Sequence, residues 1–361
     1  MTEFNMSFKE FKAIAKSAKC IKPYPIMDAT MVDATRDGVV FEAIGDGHEL
    51  WKVAKSATAI NNTGRFFIPT DALDLICKLK LKATQDTIRF VADNDTFTVY
   101  TMNGKKIDMA VARFETDSFG PMPKINEYCA RFGMKDFATM CDNMSNFVDA
   151  SNANRVMQGI YFDWKKSRVV ALEGHKIIMR DIADNMSKLD GKENAIFNLV
   201  NNYKVVKSIT SEAGKINVYT DKKYVYLYND SFMLRTRAID AVYFQYEQII
   251  DVPYTLTARV DRNQMSDIAD YDYSVLKNVE APMVFDIAGG KVTARSDKAR
   301  VQDQIYTDHV SGEWEEFGLN PQYVKDTMSI LNDDLITIHG VSYKAPFFFS
   351  DGGTYSILLL P

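Results

Sequence analysis

The stretch ALEGHKIIM, Ala171–Met179, sets an acidic residue and Gly-His between two apolar runs. Upstream, AIGDGHELWKV, Ala43–Val53, repeats the arrangement. One Glu173/His175 pair could be a catalytic or metal-binding couple. Two copies, with His48 and His175 standing 127 positions apart, read instead as an internal repeat, which has to be resolved before any other feature.

Followed forward, each Gly-His strand pair leads to a helix of the same kind. RFFIPTDALDLICKLK (Arg65–Lys80), IFNLVNNYKVVKSI (Ile196–Ile209) and EFGLNPQYVKDTMSIL (Glu316–Leu331) open on an aromatic residue, pass a polar cap candidate, then carry apolar residues at helical spacing. In the third, Asn320 can cap the free N–H groups of the first turn, Pro321 suits the first helical position, and Val324, Met328 and Leu331 form the stripe. Three short strands follow each helix: TIRFVA, FTVYT and KIDMAVA; KINVYT, YVYLY and FMLRTRA; LITIHG, KAPFFFS and YSILLL. Asn103-Gly104, Asn229-Asp230 and Asp351-Gly352-Gly353 separate strands within these trios, so each trio reads as an antiparallel meander. A further helix opens each copy: SFKEFKAIAKSAK, KDFATMCDNMSNF and DRNQMSDIADYD. Connectors with proline, GPMPKIN and IIDVPYT, fall where the period breaks. The pattern predicts an α+β protein of three repeated domains, 1–123, 124–251 and 252–361, each with two helices packed on antiparallel sheet.

Hydrophobic residues at 46% and charged residues at 25% are those of a soluble globular chain. No run approaches the roughly 18 apolar residues of a membrane span, and MTEFNMSFKEFK lacks the apolar centre of a signal peptide. The expectation is a cytoplasmic protein with no membrane partner. Cys20, Cys77, Cys129 and Cys141 show no CxxC spacing and read as reduced, buried thiols. With 43 Lys plus Arg against 48 Asp plus Glu, the formal net charge is −5, so a nucleic-acid reading has to rest on where the lysines sit.

Lys9, Lys12, Lys16 and Lys19 follow one another at spacings of 3, 4 and 3 on the first helix. At about 100° per residue they fill an arc of roughly 80° beside the apolar Phe8, Phe11, Ile14, Ala15 and Ala18. An ordinary solvated helix face looks the same. Lys22 follows, and Lys78, Lys80 and Lys82, then Lys204 and Lys207, stand on or beside the second helices of the first two copies. That repetition suggests phosphate contacts gathered on one surface, binding backbone without reading bases. The sequence holds no GxxxxGK[ST] loop, GxSxG elbow, HExxH or Gly-rich strand-to-helix turn. Its four histidines, His48, His175, His309 and His339, have no second His or Cys at ligand spacing, so neither metal nor cofactor is expected. Glu173 and His175 would share a face on an extended strand but need not in a turn, and Gly174 favours the turn.

Together these residues resemble one family, the bacterial sliding clamp, the beta subunit of DNA polymerase III. NRVMQGIYFDWKKSRVVALEGHKIIMRDI is similar to the family's middle-domain segment, in which a Gly follows the strand start and an A-T-D-G-H-R-L run follows the hairpin. FGLNPQYVKDTMSIL is similar to the FN-x-x-Y-V-x-D-x-L helix of the C-terminal domain, and TYSILLLP to its closing strand and tail. The likeness runs in order over the whole chain; the first domain matches mainly in pattern.

The resemblance implies a DNA clamp fold, dimerising head to tail into a six-domain ring, with helices around duplex DNA and sheets outside. It implies a processivity factor and no enzyme. The expected partners are double-stranded DNA without sequence preference, a replicative DNA polymerase, a clamp loader and other proteins with clamp-binding peptides. In the family the segment matching Leu172, Gly174, His175, Lys176 and Ile177 helps line an apolar peptide groove between the second and third domains. By position, Met157, Phe244, Ile249, Tyr323 and the tail residues Leu358, Leu359, Leu360 and Pro361 complete it, His175 being a wall. The ring contact falls near Lys105, Lys106 and Ile107, with Tyr271 and Tyr273 opposite. This sequence departs from the family with Lys176 in place of Arg, Phe244 in place of Pro, a Leu-Leu-Leu-Pro tail and no acidic run in SDKARVQDQIY. Such divergence would suit a phage, a mobile element or a distant bacterium. Two other classes stay open: a nucleic-acid-processing enzyme with Glu173 and His175 as acid and base, and a repeat-domain structural or assembly protein, which leaves the lysine stripe without a reason.

Overall fold

The computed structural model of the 361-residue chain describes residues 1–24, 28–82, 86–112, 119–275, 282–288, 291–296, 301–312 and 314–361. The first copy holds β1 (Thr2–Ser7), α1 (Phe8–Ala18), β2 (Ala29–Thr35), β3 (Gly38–Gly45), β4 (His48–Ala54), β5 (Thr58–Asn62), β6 (Gly64–Pro69), α2 (Thr70–Cys77), β7 (Thr87–Ala92), β8 (Thr96–Thr101) and β9 (Lys106–Ala110). The second holds β10 (Ala130–Gly133), α3 (Met134–Ser145), β11 (Ile160–Asp163), β12 (Arg168–Glu173), β13 (Lys176–Asp181), β14 (Ala195–Phe197), α4 (Leu199–Ile209), β15 (Lys215–Thr220), β16 (Tyr224–Asn229) and β17 (Phe232–Arg237). A one-turn helix, α5 (Glu247–Ile250), lies in the connector. The third copy holds β18 (Leu256–Asp261), α6 (Arg262–Val275), β19 (Met283–Ala288), β20 (Lys291–Ser296), β21 (Val301–Ile305), β22 (Thr307–Ser311), β23 (Phe317–Leu319), α7 (Pro321–Ile330), β24 (Leu335–Gly340), β25 (Phe347–Ser350) and β26 (Tyr355–Leu359). The order strand, helix, three strands, short strand, helix, three strands thus recurs three times, with β5 and β22 added in the first and third copies.

The meander strands lie where alternation and turn residues place them. The aromatic openings form the strands β6, β14 and β23, and the second helices begin after them. Asn198 and Asn320 cap α4 and α7 by accepting from the N–H groups of Asn201 (3.0 Å) and Gln322 (2.9 Å). Before α2 the cap position is Pro69, which has no capping side chain, so the expected polar cap is absent there. Ser7 caps α1, whose apolar face buries Phe11 against Phe41 and Phe90 at ring separations of 6.1 and 5.4 Å. Fully burying one such ring contributes roughly 1.5–3 kcal/mol.

Packing divides the chain into two compact units, and the second copy is shared between them. One unit comprises Met1–Thr139 and Asn185–Ala238; the other comprises Met140–Asp184 and Ile239–Pro361. In the first, a five-stranded sheet runs β5-β1-β7-β8-β9 and an eight-stranded sheet runs β10-β15-β16-β17-β4-β3-β2-β6. In the second, strands run β11-β12-β13-β26-β25-β24-β18-β22, beside a four-stranded sheet β21-β20-β19-β23. The seams between copies are backbone ladders: β17 pairs β4 from Phe232↔Lys52 to Thr236↔His48, and β26 pairs β13 from Tyr355↔Arg180 to Leu359↔Lys176. Strands at the second seam are covered on both faces, so the interiors of β12 and β13 are apolar throughout except Arg180, whereas β24 alternates buried and half-buried residues. No helix among the described residues is long and apolar enough to cross a membrane.

Candidate functional site

The two Gly-His hairpins do not turn at the same place. In the first copy the loop is Asp46-Gly47, with Gly47 at φ +76°, and Gly45 pairs His48, so His48 opens its strand and is buried. In the second copy Glu173 pairs Lys176 and the loop is Gly174-His175. His175 is therefore exposed in the turn, and Lys176 takes the buried first position of β13.

Leu172, Ile177 and Leu358 stand side by side across β12, β13 and β26, on one face of the sheet. They line a cavity of about 240 Å³ together with Met157, Phe244, Ile249 and Leu360. The hairpin adds Glu173, Gly174, His175 and Lys176. The Leu360 N–H donates to the His175 carbonyl at 2.9 Å, which fixes the tail beside the turn. Three residues expected in the groove do not line this cavity. Leu359 is fully buried and follows Leu358 onto the opposite face, Pro361 is exposed, and Tyr323 stands behind Lys176. Conversely Glu173, suggested by the sequence only as a catalytic acid, is part of the lining.

Lys176 is caged. Its ammonium lies 3.1 Å from Asp326 Oδ2 and 4.5 and 5.0 Å from the ring centres of Tyr323 and Phe147. Asp326 Oδ1 meanwhile accepts from Gln322 Nε2 at 2.6 Å. Burial, helped by the carboxylates of Glu173 and Asp326, pushes the Tyr323 phenol up, so it stays protonated at neutral pH. Glu173 Oε1 is buried without a hydrogen-bond partner. No hydrogen bond joins the His175 ring to Glu173; its nearest aromatic neighbour is Tyr323, at 6.2 Å between ring centres. The connector wall is pinned by two buried tyrosines. Tyr243 stacks on Tyr161 at 4.3 Å and donates to the Val170 carbonyl, and Tyr246 donates to Asp163 at 2.8 Å. Phe244, between them, is 51% exposed, and Val242 is 92% exposed.

The lysines form a second candidate surface. Lys9, Lys12, Lys16 and Lys19 are all exposed on or at the end of α1, and Lys204 and Lys207 are exposed on α4. The two helices pack together, with Ser17 Oγ 2.7 Å from Ser208 Oγ, so both lysine rows belong to one helix layer. Lys19 is ion-paired with Asp74 and Lys12 lies over the Phe8 ring. Lys22, Lys78 and Lys80 are exposed just beyond the helices. Helices of the third copy differ: α6 carries Asp267 and Asp270, the latter paired with Lys325 at 2.6 Å.

At the sheet ends, β9 and β21 are edge strands among the described residues. Lys105 and Lys106 are exposed there, Ile107 is half-buried, and Lys106 pairs with Asp108 on its own strand at 2.9 Å. Tyr271 is 55% exposed on α6, which packs against β21; Tyr273 lies under Lys325. All four cysteines are free, and no metal-binding cluster of His, Cys, Asp or Glu occurs among the described residues.

Three repeats of one βα unit with sheets fused across the seams make this a DNA clamp fold. No protein-family model and no curated protein sequence matches the chain. Solved structures do. A chain assigned as a DNA polymerase III beta subunit from Eubacterium rectale matches with a TM-score of 0.86 at 17% identity, covering 100% of this chain and 99% of that one. The DNA polymerase III beta chain of Streptococcus pneumoniae matches at 0.84 and 14% identity, covering 100% and 99%. The DNA polymerase sliding clamp of Bacillus subtilis matches at 0.84 and 14%, covering 100% and 98%.

Proposed function

We propose that the chain is a processivity factor: a sliding clamp of three domains, 1–123, 124–251 and 252–361, of which two copies close head to tail around duplex DNA. The observation that carries this reading is the pattern of seams. The last strand of the second copy, β17, pairs β4 of the first, and the last strand of the third, β26, pairs β13 of the second. The last strand of the first copy, β9, is left as an edge, and so is β21, the third-copy counterpart of β4 and β13. A second chain offering β21 to β9 would repeat the same joint and remove both edges, which otherwise invite uncontrolled pairing. Lys105, Lys106 and Ile107 would then meet an edge carrying Asp303, with Tyr271 and Tyr273 nearby.

In this reading Lys9, Lys12, Lys16, Lys22, Lys78, Lys80, Lys204 and Lys207 attract phosphates without reading bases, and Lys19 does so less because Asp74 already holds it. Topology rather than affinity keeps the ring on DNA. The cavity beside His175 receives short peptides of a replicative polymerase, a clamp loader and other clamp-binding proteins in the cytoplasm. An apolar cleft with few polar groups suits that task. The role is tethering, not catalysis; His175 makes no hydrogen bond to Glu173 that would orient it as a base. The test is mass by light scattering together with negative-stain electron microscopy of the purified protein. A dimeric ring with an open centre is expected; a compact monomer at every concentration, with no retention on circular DNA, overturns the reading.

A further inference from the structure

The groove carries an uneven set of charges, and this decides what kind of peptide it takes. Of its charged lining, Lys176 is spent internally: its side chain is 7% exposed, bound to Asp326 and sandwiched between Tyr323 and Phe147. Asp326 in turn uses its other oxygen on Gln322. His175 is exposed at the rim and makes no side-chain hydrogen bond among the described residues. Glu173 is the exception: it lines the cavity, its carboxylate is coupled only to the neutral Tyr323 phenol, and no ion pair balances its charge among the described residues. The nearby Tyr323 phenol, kept protonated by burial and by this carboxylate, adds no positive charge.

Resting on the peptide-groove reading above, we propose that Glu173 sets the charge preference of the groove: it selects linear peptides that place a lysine or arginine next to the apolar anchor and rejects acidic ones. In a cleft that excludes water, an unbalanced carboxylate attracts an opposite charge more strongly than it would in solvent. A lysine or arginine placed beside the apolar anchor gains that attraction, whereas a carboxylate brought to the same place meets a like charge. The exposed Phe244 ring extends the apolar floor outward, so an aromatic anchor residue has a face to stack on.

The experiment uses the full chain and acetylated, amidated eight-residue peptides with a Leu-Leu-Phe anchor flanked on either side by Lys, Gln or Glu. Binding is read by fluorescence anisotropy. The Lys peptide is expected to bind about tenfold or more tighter than the Gln peptide, with the Glu peptide weakest. In Glu173→Gln the three should converge while the anchor still binds. As a check needing no variant, the Lys peptide on the unmodified protein should lose affinity with added salt faster than the Gln peptide. Equal binding of all three, or preference for Glu, overturns the assignment to Glu173 and leaves the groove standing. Failure of every peptide to bind overturns the groove reading itself, and the preference with it.

Discussion

Replacing Lys9, Lys12 and Lys16 by Gln tests how the clamp holds DNA. These lysines are exposed on α1 and none has an ion-pair partner among the described residues, so each is free to release a counterion on meeting a phosphate. Gln keeps helix propensity close to that of Lys, and the buried face of Phe8, Phe11 and Ile14 is untouched, so the fold should persist. Each lysine that meets a phosphate contributes about 0.9 to the slope of log affinity against log salt; the triple variant should lose about 2.7 per chain engaged. Between 50 and 200 mM salt the unmodified protein should then weaken about fortyfold more than the variant. Adding Lys19→Gln should change the slope far less, since Asp74 already neutralises Lys19, and Asp74→Asn in the unmodified protein should steepen it. The assay is anisotropy of a labelled duplex over a salt series. An unchanged slope in the triple variant would sink the reasoning, and so would a Lys19 increment equal to the others.

Three further outcomes follow. Glu42, 1% exposed on β3 of the eight-stranded sheet, has its pKa pushed up to about 8 from 4.5, first by burial and then by Glu49. Below about 4.5 both folded and unfolded states hold the proton; as pH rises to 8 only the folded state keeps it, so stability falls across that window. Glu42→Gln should remove a penalty of up to ~5 kcal/mol at pH 9 and little at pH 4.5, read by denaturant melts at each pH; a pH-independent difference refutes this. Tyr246→Phe deletes the donor to buried Asp163 and should cost roughly 1–3 kcal/mol while weakening peptide binding, because the same tyrosine pins the Phe244 wall. Lys105→Glu with Lys106→Glu should shift sedimentation toward monomer, and Asp303→Lys in the same chain should restore the dimer; a rescue that fails removes β21 as the partner of β9.

Legibility followed hydrophobic signal. β7, β15 and β24 end where the sequence ends them because one face of each alternates buried residues and polar turns close both ends. β5 and β22 escaped notice for the opposite reason: TAINN and TDHVS are edge strands with exposed or half-buried residues, so they carry no apolar period. Phe66, Phe67 and Ile68 are contiguous apolar residues because β6 is buried on both faces, so the aromatic opening carries no period that marks it as a strand.

The candidate site shows where sequence repetition and structural repetition part. Acidic-Gly-His aligns residue for residue in both copies, yet a two-residue loop can be drawn from three residues in two ways. Gly47 in the left-handed region fixes Asp46-Gly47 as the first loop, while the second closes one residue later. Because strand side chains alternate, that single step moves histidine from a buried strand position into the exposed turn and puts Lys176 inside, against Asp326. The Lys176 charge is thereby balanced inside by Asp326, and Glu173 is left in the cavity lining with only the neutral Tyr323 phenol beside it. The groove's chemistry therefore follows from a backbone register that no residue pattern displays: a loop closed one residue earlier would pair Leu172 with His175, carry Glu173 into the turn and break the Leu172–Ile177 pair that forms the apolar floor.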